Sequence, residues 1–392
     1  MDNELRIILE LIDTAIDDKC TFPSPVNNIN WNKILYICKI HSITNLVYYA
    51  IEKLQLDIDE NTKNEFKKEH TLAVIKETKQ SYELSRLLKE FDKNSIDCVI
   101  LKGTAIRKLY PSPDMRTMGD IDFLIRPEQM KAASDILISS GYEALHTDEE
   151  FKHDAHDEFI KKPYMMIELH RSLISKGRFE KIDSYYEDLW DKLSIVDNYS
   201  HIYEMNREEF YIFMMVHIMK HYKLAGTGIR SFIDVWVYLE KYSDTLDWEY
   251  INQSFKSMDI LDFCENVKQM VYAWFGKCQY TDKIISMTKF IAYSGIYGNK
   301  KNEETLNIIN NYEDITSGII KRFLLKIFPS VSLMKKMYPI LRKHIYLLPV
   351  CYVIRLIHRI IFKREHINEA VKDNLDKNYI NKLKEHFTEI GL

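Results

Sequence analysis

"RTMGDIDFLIRPEQM", residues 116 to 130, places two aspartates, Asp120 and Asp122, inside a short hydrophobic run. Side chains two positions apart in a β-strand point to the same face, so we expect both carboxylates to lie side by side. Ile121 and Phe123 then point to the opposite face and can enter a core. Adjacent carboxylates repel each other unless a cation compensates, and Mg²⁺ prefers oxygen ligands of this kind. The stretch therefore predicts a strand with a metal site on one face.

A third acid lies in a second hydrophobic run, YMMIELH (residues 164–170), where Glu168 is flanked by Ile167 and Leu169. If the two strands are neighbours, Glu168 completes a cluster of three carboxylates. Such a cluster can bind two Mg²⁺ or Mn²⁺ ions and organise in-line attack on a phosphate, and Glu168 can accept the proton of the attacking hydroxyl. His170 is on the same strand face as Glu168, which makes it a candidate for supporting the metal ligands or binding the acceptor.

The segment LKGT (residues 101–104) contains features typical of phosphate binding. Lys102 ends a strand, Gly103 allows close approach of the backbone, and Thr104 can cap the helix that follows, whose N-terminal amides attract anions. Arg116 is a second candidate for holding a triphosphate. Taken alone, an Asp-x-Asp pair is more often a helix cap or a solvated edge, and LKGT is weaker still. The order of the three motifs is what indicates chemistry.

Hydrophobic periodicity divides the chain into three parts. Apolar residues recur at helical spacing before and after a central region in which SIDCVILKG and DIDFLIR have strand patterns and HDEFIKK and YMMIELH form a hairpin pattern around Pro163. We therefore predict a mostly helical α+β fold in which a small mixed sheet is flanked by helical units. The predicted units are a helical unit at 1–94, an α/β core at 95–178 and a C-terminal helical unit at 179–392.

The composition gives few indications of partners. The chain has 392 residues and a formal net charge of -4, so the overall charge does not favour nucleic-acid binding. Its six cysteines lack CxxC spacing, which is typical of reduced core residues in a cytoplasmic protein. The N-terminus lacks a basic region followed by an apolar one, and the apolar stretch at 345–354 is about half the length that a bilayer requires. We expect a cytoplasmic protein without a signal peptide or a membrane span.

One segment near the C-terminus is strongly basic. Residues 321–364 contain eleven Lys or Arg and no Asp or Glu, interleaved with large apolar side chains. Such a segment can pack on the core with its charges reaching solvent, lie on an anionic membrane surface, or bind RNA. We rank core packing before peripheral membrane contact, and membrane contact before RNA.

The ordered motifs resemble the nucleotidyltransferase superfamily typified by DNA polymerase β, and specifically a branch of uncharacterised bacterial nucleotidyltransferases. The resemblance matches Gly103 and Thr104 with the helix start, Asp120 and Asp122 with the metal-binding pair, and Glu168 with the third carboxylate. Two departures affect substrate geometry. The interval from Gly103 to Asp120 is longer than usual in the superfamily, and Thr104 replaces the commoner Ser or Gly.

The resemblance implies an enzyme that moves a nucleoside monophosphate from a nucleoside triphosphate, such as ATP, to an acceptor hydroxyl and releases pyrophosphate. The sequence does not indicate which acceptor is used. A small molecule, a peptide, a protein or an RNA is compatible with it. Two alternatives stay open. The chain could be a nucleotide-binding or interaction module that keeps the fold without the chemistry, or a membrane-surface protein acting through its basic segment.

A second segment, MMVHIMKHYKLAGTGIRSFIDVW, resembles the helix-loop-helix that follows the catalytic core in this branch. His217 and His221 are four apart on one helix face, and we favour a hydrogen-bonding role for them over zinc binding. Arg230 and Asp234 are also four apart and can form a helix ion pair. All four are candidates for the acceptor site or for supporting the metal ligands.

A third histidine-containing stretch, HTDEEFKHDAHDEF, contains His146, His153 and His156 among acids. We interpret most of it as a solvated loop that enters a strand, and we favour that interpretation over a zinc cluster.

Overall fold

The computed structural model describes residues 3–17, 29–145, 156–163, 165–174, 177, 179–295, 298, 302–303, 305–306, 328–362 and 377–392. The chain forms two compact units. The first comprises Met1–Lys220 and Thr227–Ile296, and the second comprises His221–Gly226 and Tyr297–Leu392. The division at residues 94 and 178 expected from the sequence stays a prediction about separately folding units.

Four helices precede the sheet, as the periodicity predicts: α1 (Asn3–Ile16), α2 (Trp31–His41), α3 (Thr44–Lys53) and α4 (Glu60–Lys93). Helix α4 is 34 residues long, and Asp59 caps its start by accepting a hydrogen bond from the backbone N–H of Thr62 at 3.0 Å. Its C-terminal half buries Leu84, Leu87 and Phe91. One face of this half is therefore available to cover a sheet.

The described residues contain one mixed sheet of seven strands in the order β3-β4-β5-β2-β1-β7-β6. The strands and short helices are β1 (Cys98–Ile100), α5 (Lys102–Ile106), β2 (Ile121–Ile125), α6 (Met130–Ser139), β3 (Glu143–Ala144), β4 (His156–Lys161), β5 (Met165–His170), α7 (Glu180–Tyr185), β6 (Leu193–Ile195) and β7 (Ile202–Met205). Strand β2 is central, antiparallel to β1 and parallel to β5, and β4 pairs with β5 as the predicted antiparallel hairpin. This α+β, mostly helical architecture confirms the predicted fold class.

One face of the sheet forms the core with α4 and α6. Ile121 and Phe123 of β2 are fully buried in the same cluster as Leu87, Phe91 and Leu137, and the rings of Phe91 and Phe123 meet edge to face with centroids 5.4 Å apart. Burial of these apolar side chains fixes which face of β2 is covered. Because neighbouring side chains in a strand alternate, the other face of β2 presents the intervening residues.

The sheet extends beyond the boundary that the sequence pattern suggested at residue 178. Strands β6 and β7 lie in the region predicted as helical, and β7 pairs in parallel with β1, placing Cys98 opposite Ile202. Both strands are only three or four residues long, too short for alternation to be recognised. The helical assignment of this segment was therefore wrong at these residues.

The rest of the described chain is helical. The helices are α8 (Arg207–Leu224), α9 (Ile229–Tyr242), α10 (Trp248–Ser257), α11 (Leu261–Trp274), α12 (Asp282–Ser294), α13 (Val331–Met337), α14 (Leu348–Phe362) and α15 (Lys377–Glu389). In the described parts of the chain, no helix has the length and apolar character needed to cross a bilayer.

Candidate active site

The sheet places the predicted carboxylates together. Strands β2 and β5 are parallel neighbours in a register that puts Asp122 directly beside Glu168, and Asp120 immediately precedes β2 on the same face. One carboxylate oxygen from each of these three residues lies within 4.8 Å of the others. The acids that the sequence places 48 residues apart therefore form one cluster.

Asp122 has two hydrogen-bonding partners, a lysine and a histidine. Lys102 Nζ lies 2.7 Å from Asp122 Oδ1, and His170 Nε2 lies 2.8 Å from the same oxygen. Burial raises the pKa of Asp122, but the Lys102 ammonium and the His170 ring outweigh burial and hold the pKa well below its usual range. Asp122 is 4% exposed. This carboxylate is therefore ionised and neutralised by the protein itself.

His170 links two of the acids. Its Nε2 lies 3.1 Å from Glu168 Oε2 as well as 2.8 Å from Asp122 Oδ1. Carboxylates only accept hydrogen bonds, so this nitrogen carries a proton in the contact. Burial lowers the pKa of His170, but the hydrogen bonds to both acids outweigh it and raise the pKa. Burial raises the pKa of Glu168, and the His170 hydrogen bond overcomes that effect and lowers it.

Asp120 differs from Asp122 because no described cation pairs with it. Its carboxylate forms no ion pair with any side chain in the described part of the chain. Burial, followed by the charges of Asp122 and Glu168, raises its pKa to about 6. Three oxygen donors with one uncompensated carboxylate are a donor set that suits Mg²⁺ or Mn²⁺. The residues present therefore fit a divalent ion.

Lys102 is held in an unusual backbone conformation. Its φ of 47° lies in the left-handed region, which residues with a side chain seldom adopt. Leu101 just before it donates its backbone N–H to the Asp122 carbonyl at 3.1 Å, so this backbone is tied to β2. Strained backbone held by its surroundings is common at functional sites. The ammonium of this residue lies 2.7 Å from Asp122 Oδ1.

Gly103 and Arg116 are in close contact. A Cβ at Gly103 would lie 2.5 Å from Arg116 Nη1 and 2.8 Å from its Cζ. The guanidinium is also fixed by Asp234, whose Oδ2 lies 2.7 Å from Arg116 Nη2. The close approach that glycine permits at this position is therefore with an arginine of the same chain. Arg116 itself is engaged by Asp234 and largely buried.

Thr104 does not cap the helix, contrary to the expectation from LKGT. Helix α5 begins at Lys102, with Leu101 as its N-cap residue and no side chain capping it. Thr104 is therefore inside the first turn, 2% exposed, and its hydroxyl faces the sulfur of Met118 at 3.7 Å. The helix therefore starts three residues earlier than expected, with Leu101 in place of Thr104 as the N-cap residue.

Arg230 and Asp234 of α9 contact the segment before β2. Arg230 Nη1 donates to the Thr117 carbonyl at 2.8 Å. Asp234 accepts from both Arg116 and the hydroxyl of Tyr110, the latter at 2.7 Å. Both residues of the predicted helix pair thus tie α9 to the stretch that precedes Asp120.

His217 and His221 lie on α8. No group of three or more metal-binding side chains among the described residues includes either of them. The ring of His217 contacts that of Phe213, with centroids 6.2 Å apart. The structure does not bring these two histidines into the acidic cluster.

Two residues of the site were not predicted. His156, the first residue of the predicted HDEFIKK strand but not a predicted site residue, begins β4 opposite His170 in the hairpin register, and its Nε2 lies 3.9 Å from Glu168 Oε2. His146 and His153 of the stretch HTDEEFKHDAHDEF lie outside the described residues. The sequence contained a signal for His156, since it and His170 are equally distant from Pro163 at the hairpin turn.

The other missed residue is Lys76 on α4. It is half-buried, and burial lowers the pKa of its ammonium while Asp120 raises it and Arg230 lowers it again. Lys76 forms no hydrogen bond or ion pair with the part of the chain that the structure describes. No local pattern distinguishes it from the other lysines of α4, so only the packing of this helix could reveal it.

Comparison with known proteins identifies the family. No curated protein and no solved structure matches the chain. The family model described as "Uncharacterised nucleotidyltransferase" matches residues 27–276, which include the whole acidic cluster, Lys102 and α9. Because this match covers more than half of the sequence, the chain belongs to the uncharacterised nucleotidyltransferase family and is an enzyme of nucleotidyl transfer.

Proposed function

We propose that this enzyme transfers a nucleoside monophosphate from a nucleoside triphosphate to an acceptor hydroxyl, with Mg²⁺ or Mn²⁺ as cofactor. The observation that carries the proposal is the acidic cluster, in which Asp120, Asp122 and Glu168 offer oxygens within 4.8 Å of one another. Asp120 in particular has no cationic partner among the described side chains. A module that had lost catalysis would have no need to keep this partly buried, uncompensated charge.

The three carboxylates have two roles in the proposed reaction, metal binding and proton transfer. Asp120, Asp122 and Glu168 would hold the divalent ion, which when bound supplies positive charge to the phosphate oxygens. Glu168 accepts the proton of the acceptor hydroxyl while the hydroxyl oxygen forms a bond to the α-phosphorus. The bond between the α-phosphorus and the bridging oxygen to the β-phosphate then breaks, and pyrophosphate leaves.

Cations near the cluster supply the phosphate site. Lys102 is 2.7 Å from Asp122 and can turn to a phosphate once a divalent ion neutralises that carboxylate. Lys76 is a second candidate for phosphate binding because the charges of Asp120 and Arg230 both affect the pKa of its ammonium. Gly103 and Thr104 form the adjacent start of α5, and Arg116 supports that start through its contact with Gly103. We propose that these residues together bind the triphosphate.

The acceptor in this proposal is a hydroxyl of a small molecule, a peptide, a protein or an RNA. His170 would orient the Glu168 carboxylate for this proton transfer, since its Nε2 is 3.1 Å from Glu168 Oε2. His217, His221, Arg230 and Asp234 remain proposed contributors to the acceptor site. A triphosphate substrate and the free thiols of Cys38, Cys98 and Cys264 favour a cytoplasmic location.

Label transfer tests the proposal directly. Purified protein is incubated with each of the four α-³²P-labelled triphosphates, Mg²⁺ and one acceptor of each class, and labelled product and pyrophosphate are measured. We expect transfer that needs Mg²⁺ and that falls at least about 100-fold in Asp120→Asn with Asp122→Asn. Glu128→Gln, which removes an exposed acid just after β2, serves as the matched control. Triphosphate binding without label transfer to any acceptor class would favour the non-catalytic alternative.

A specific surface favours a second proposal, peripheral contact with an anionic membrane. Val350, Val353, Ile354 and Ile357 form one face of α14, and each is slightly more than half exposed. The surrounding segment is basic and has no acidic residue, so its charge complements anionic headgroups. We expect the protein to sediment with phosphatidylserine vesicles and not with phosphatidylcholine vesicles, and Ile354→Asp with Ile357→Asp to abolish this. Equal sedimentation of the variant would contradict the proposal.

A further inference from the structure

A second set of metal-binding side chains shares Glu168 with the acidic cluster. His156, Glu168 and His170 each offer one ligand atom, and these three atoms lie within 4.8 Å of one another. His170 Nε2 is 3.1 Å and His156 Nε2 is 3.9 Å from Glu168 Oε2. The set differs in chemistry from the three carboxylates because two of its three donors are nitrogens.

The hairpin builds this set. The β4–β5 register places His156 directly opposite His170, and their rings lie with centroids 4.9 Å apart. Glu168 is two residues before His170 and therefore on the same face of the sheet. His170 is 5% exposed. Two regular strands thus position all three side chains, so the site does not depend on a loop.

The separations suit one ion. Ligand atoms about 2.1 Å from a metal are about 3 to 3.5 Å apart in tetrahedral or octahedral shells. The distance from His170 to Glu168 is in this range, and a small rotation of the half-buried His156 side chain brings the second nitrogen into it. A metal ion bound here would take the place of the proton by which His170 Nε2 contacts Glu168 Oε2.

The donor types select the metal. Mg²⁺ prefers oxygen, whereas imidazole nitrogens together with a carboxylate suit zinc-class transition ions. We propose that His156, Glu168 and His170 form a binding site for a divalent transition ion of the zinc class, which differs from the Mg²⁺ site proposed above in its two histidine ligands. Glu168 is common to both sites. The site does not require that the enzyme transfer nucleotides, because metal binding is measured without substrate.

Titration of the tag-free, metal-free full-length protein with Co²⁺ tests the site. Co²⁺ substitutes for zinc-class ions, and its visible absorption reports nitrogen ligands and coordination geometry. We expect one Co²⁺ per chain with such bands, displaced by Zn²⁺ and not by a large excess of Mg²⁺. His156→Ala should weaken Co²⁺ binding at least about 10-fold, and His170→Asn should do the same if it folds.

Two control variants separate this site from its alternatives. His344→Ala removes one exposed histidine elsewhere and should leave the Co²⁺ affinity within about threefold of wild type. Asp120→Asn alters the proposed Mg²⁺ site and should also retain the Co²⁺ bands. The proposal is overturned if wild-type protein shows no such bands, or if His156→Ala binds Co²⁺ as tightly as wild type. Neither result depends on whether label transfer succeeds.

Discussion

Asp120 and Asp122 are two residues apart in one sequence motif, yet their surroundings give them opposite properties. Asp122 is paired with Lys102 and His170, and its pKa is held well below the usual range. Asp120 has no ion pair with a described side chain, and burial raises its pKa to about 6. At the scale of single residues, therefore, one aspartate is neutralised internally and the other is left for an external cation.

This difference predicts opposite effects of the same substitution. In metal-free protein at neutral pH, Asp122→Asn leaves Lys102 and His170 without their carboxylate and should lower the free energy of unfolding by about 3 to 5 kcal/mol. Asp120→Asn removes a repelled charge and should leave the free energy of unfolding equal or higher. Urea denaturation in the presence of EDTA measures both values. Equal destabilisation by the two substitutions would show that the cluster does not distinguish its aspartates in this way.

A second prediction at this scale concerns Gly103. A Cβ there would lie 2.5 Å from Arg116 Nη1, and Arg116 cannot move freely because Asp234 binds its guanidinium. We expect Gly103→Ala to lower the free energy of unfolding by about 1 to 3 kcal/mol. In an Arg116→Ala background, Gly103→Ala should lower the free energy of unfolding by clearly less. A double-mutant cycle measures the difference, and strictly additive losses would contradict the proposed contact.

At the scale of elements, the site depends on how two strands and one hairpin align. The parallel register of β2 and β5 sets Asp122 beside Glu168, and the antiparallel register of β4 and β5 sets His156 beside His170. A shift of one residue in either pairing would turn these side chains to the opposite face, where Phe123 and Leu169 are buried. Burial of the apolar face therefore fixes the position of the polar one.

Helix α4 is tied to the edge of the sheet by a charged contact. Glu83 accepts hydrogen bonds from Arg86 at 2.6 Å, Lys161 at 3.0 Å and the hydroxyl of Tyr142 at 3.1 Å. Burial opposes ionisation of Glu83, but Arg86 and Lys161 overcome it and lower the pKa from 4.5 to about 2. The contact joins α4 to the end of β4 and to the residue before β3.

The shift of Glu83 predicts a pH dependence of stability. Because its pKa is lower in the folded than in the unfolded chain, its contribution is complete above pH 4.5 and is lost as the pH falls toward 2. Glu83→Gln should lower the free energy of unfolding above pH 5 and flatten its decline between pH 4.5 and 2. Urea denaturation across this range measures the profile, with Glu128→Gln as an exposed control. A Glu83→Gln profile parallel to that of wild type would contradict the assignment.

At the scale of the whole molecule, metal and nucleotide should stabilise the native chain by mass action. The acidic cluster lies within the first compact unit and forms from residues that are distant in sequence, so the unfolded chain offers no equivalent site. At concentrations near 100 times the dissociation constant, Mg²⁺ with triphosphate should add about 2.7 kcal/mol to the free energy of unfolding. Calorimetry should show a higher unfolding temperature that EDTA reverses.

The matched comparison for this prediction is the double variant Asp120→Asn with Asp122→Asn, in which the increase should disappear. Mg²⁺ without triphosphate should raise the unfolding temperature by less, because substrate phosphates supply part of the coordination shell of this ion. An unfolding temperature that rises equally in the double variant would place the ligand elsewhere on the chain.

Much of the fold was predictable because its signals are local. Helical spacing in the N-terminal and later segments, the alternation of GDIDFLI and the hairpin around Pro163 each depend on residues within one element. Strands β6 and β7 were missed because three or four residues carry too little periodicity, and the start of α5 was misplaced because its N-cap residue, Leu101, has no capping side chain to mark it.

The sequence alone indicates part of the candidate site: two aspartates that share a strand face, a third acid in another hydrophobic strand, and a lysine and a glycine before them. Alternation along a strand is a local property, so these residues had to lie on one side of their strands. The fold adds three pairings: Lys102 and His170 contact Asp122 and leave Asp120 without an ion pair among the described side chains, Asp234 binds Arg116, and His156 lies near Glu168. These pairings depend on strand register and helix packing between distant segments, which the burial of the whole core selects and no single stretch encodes.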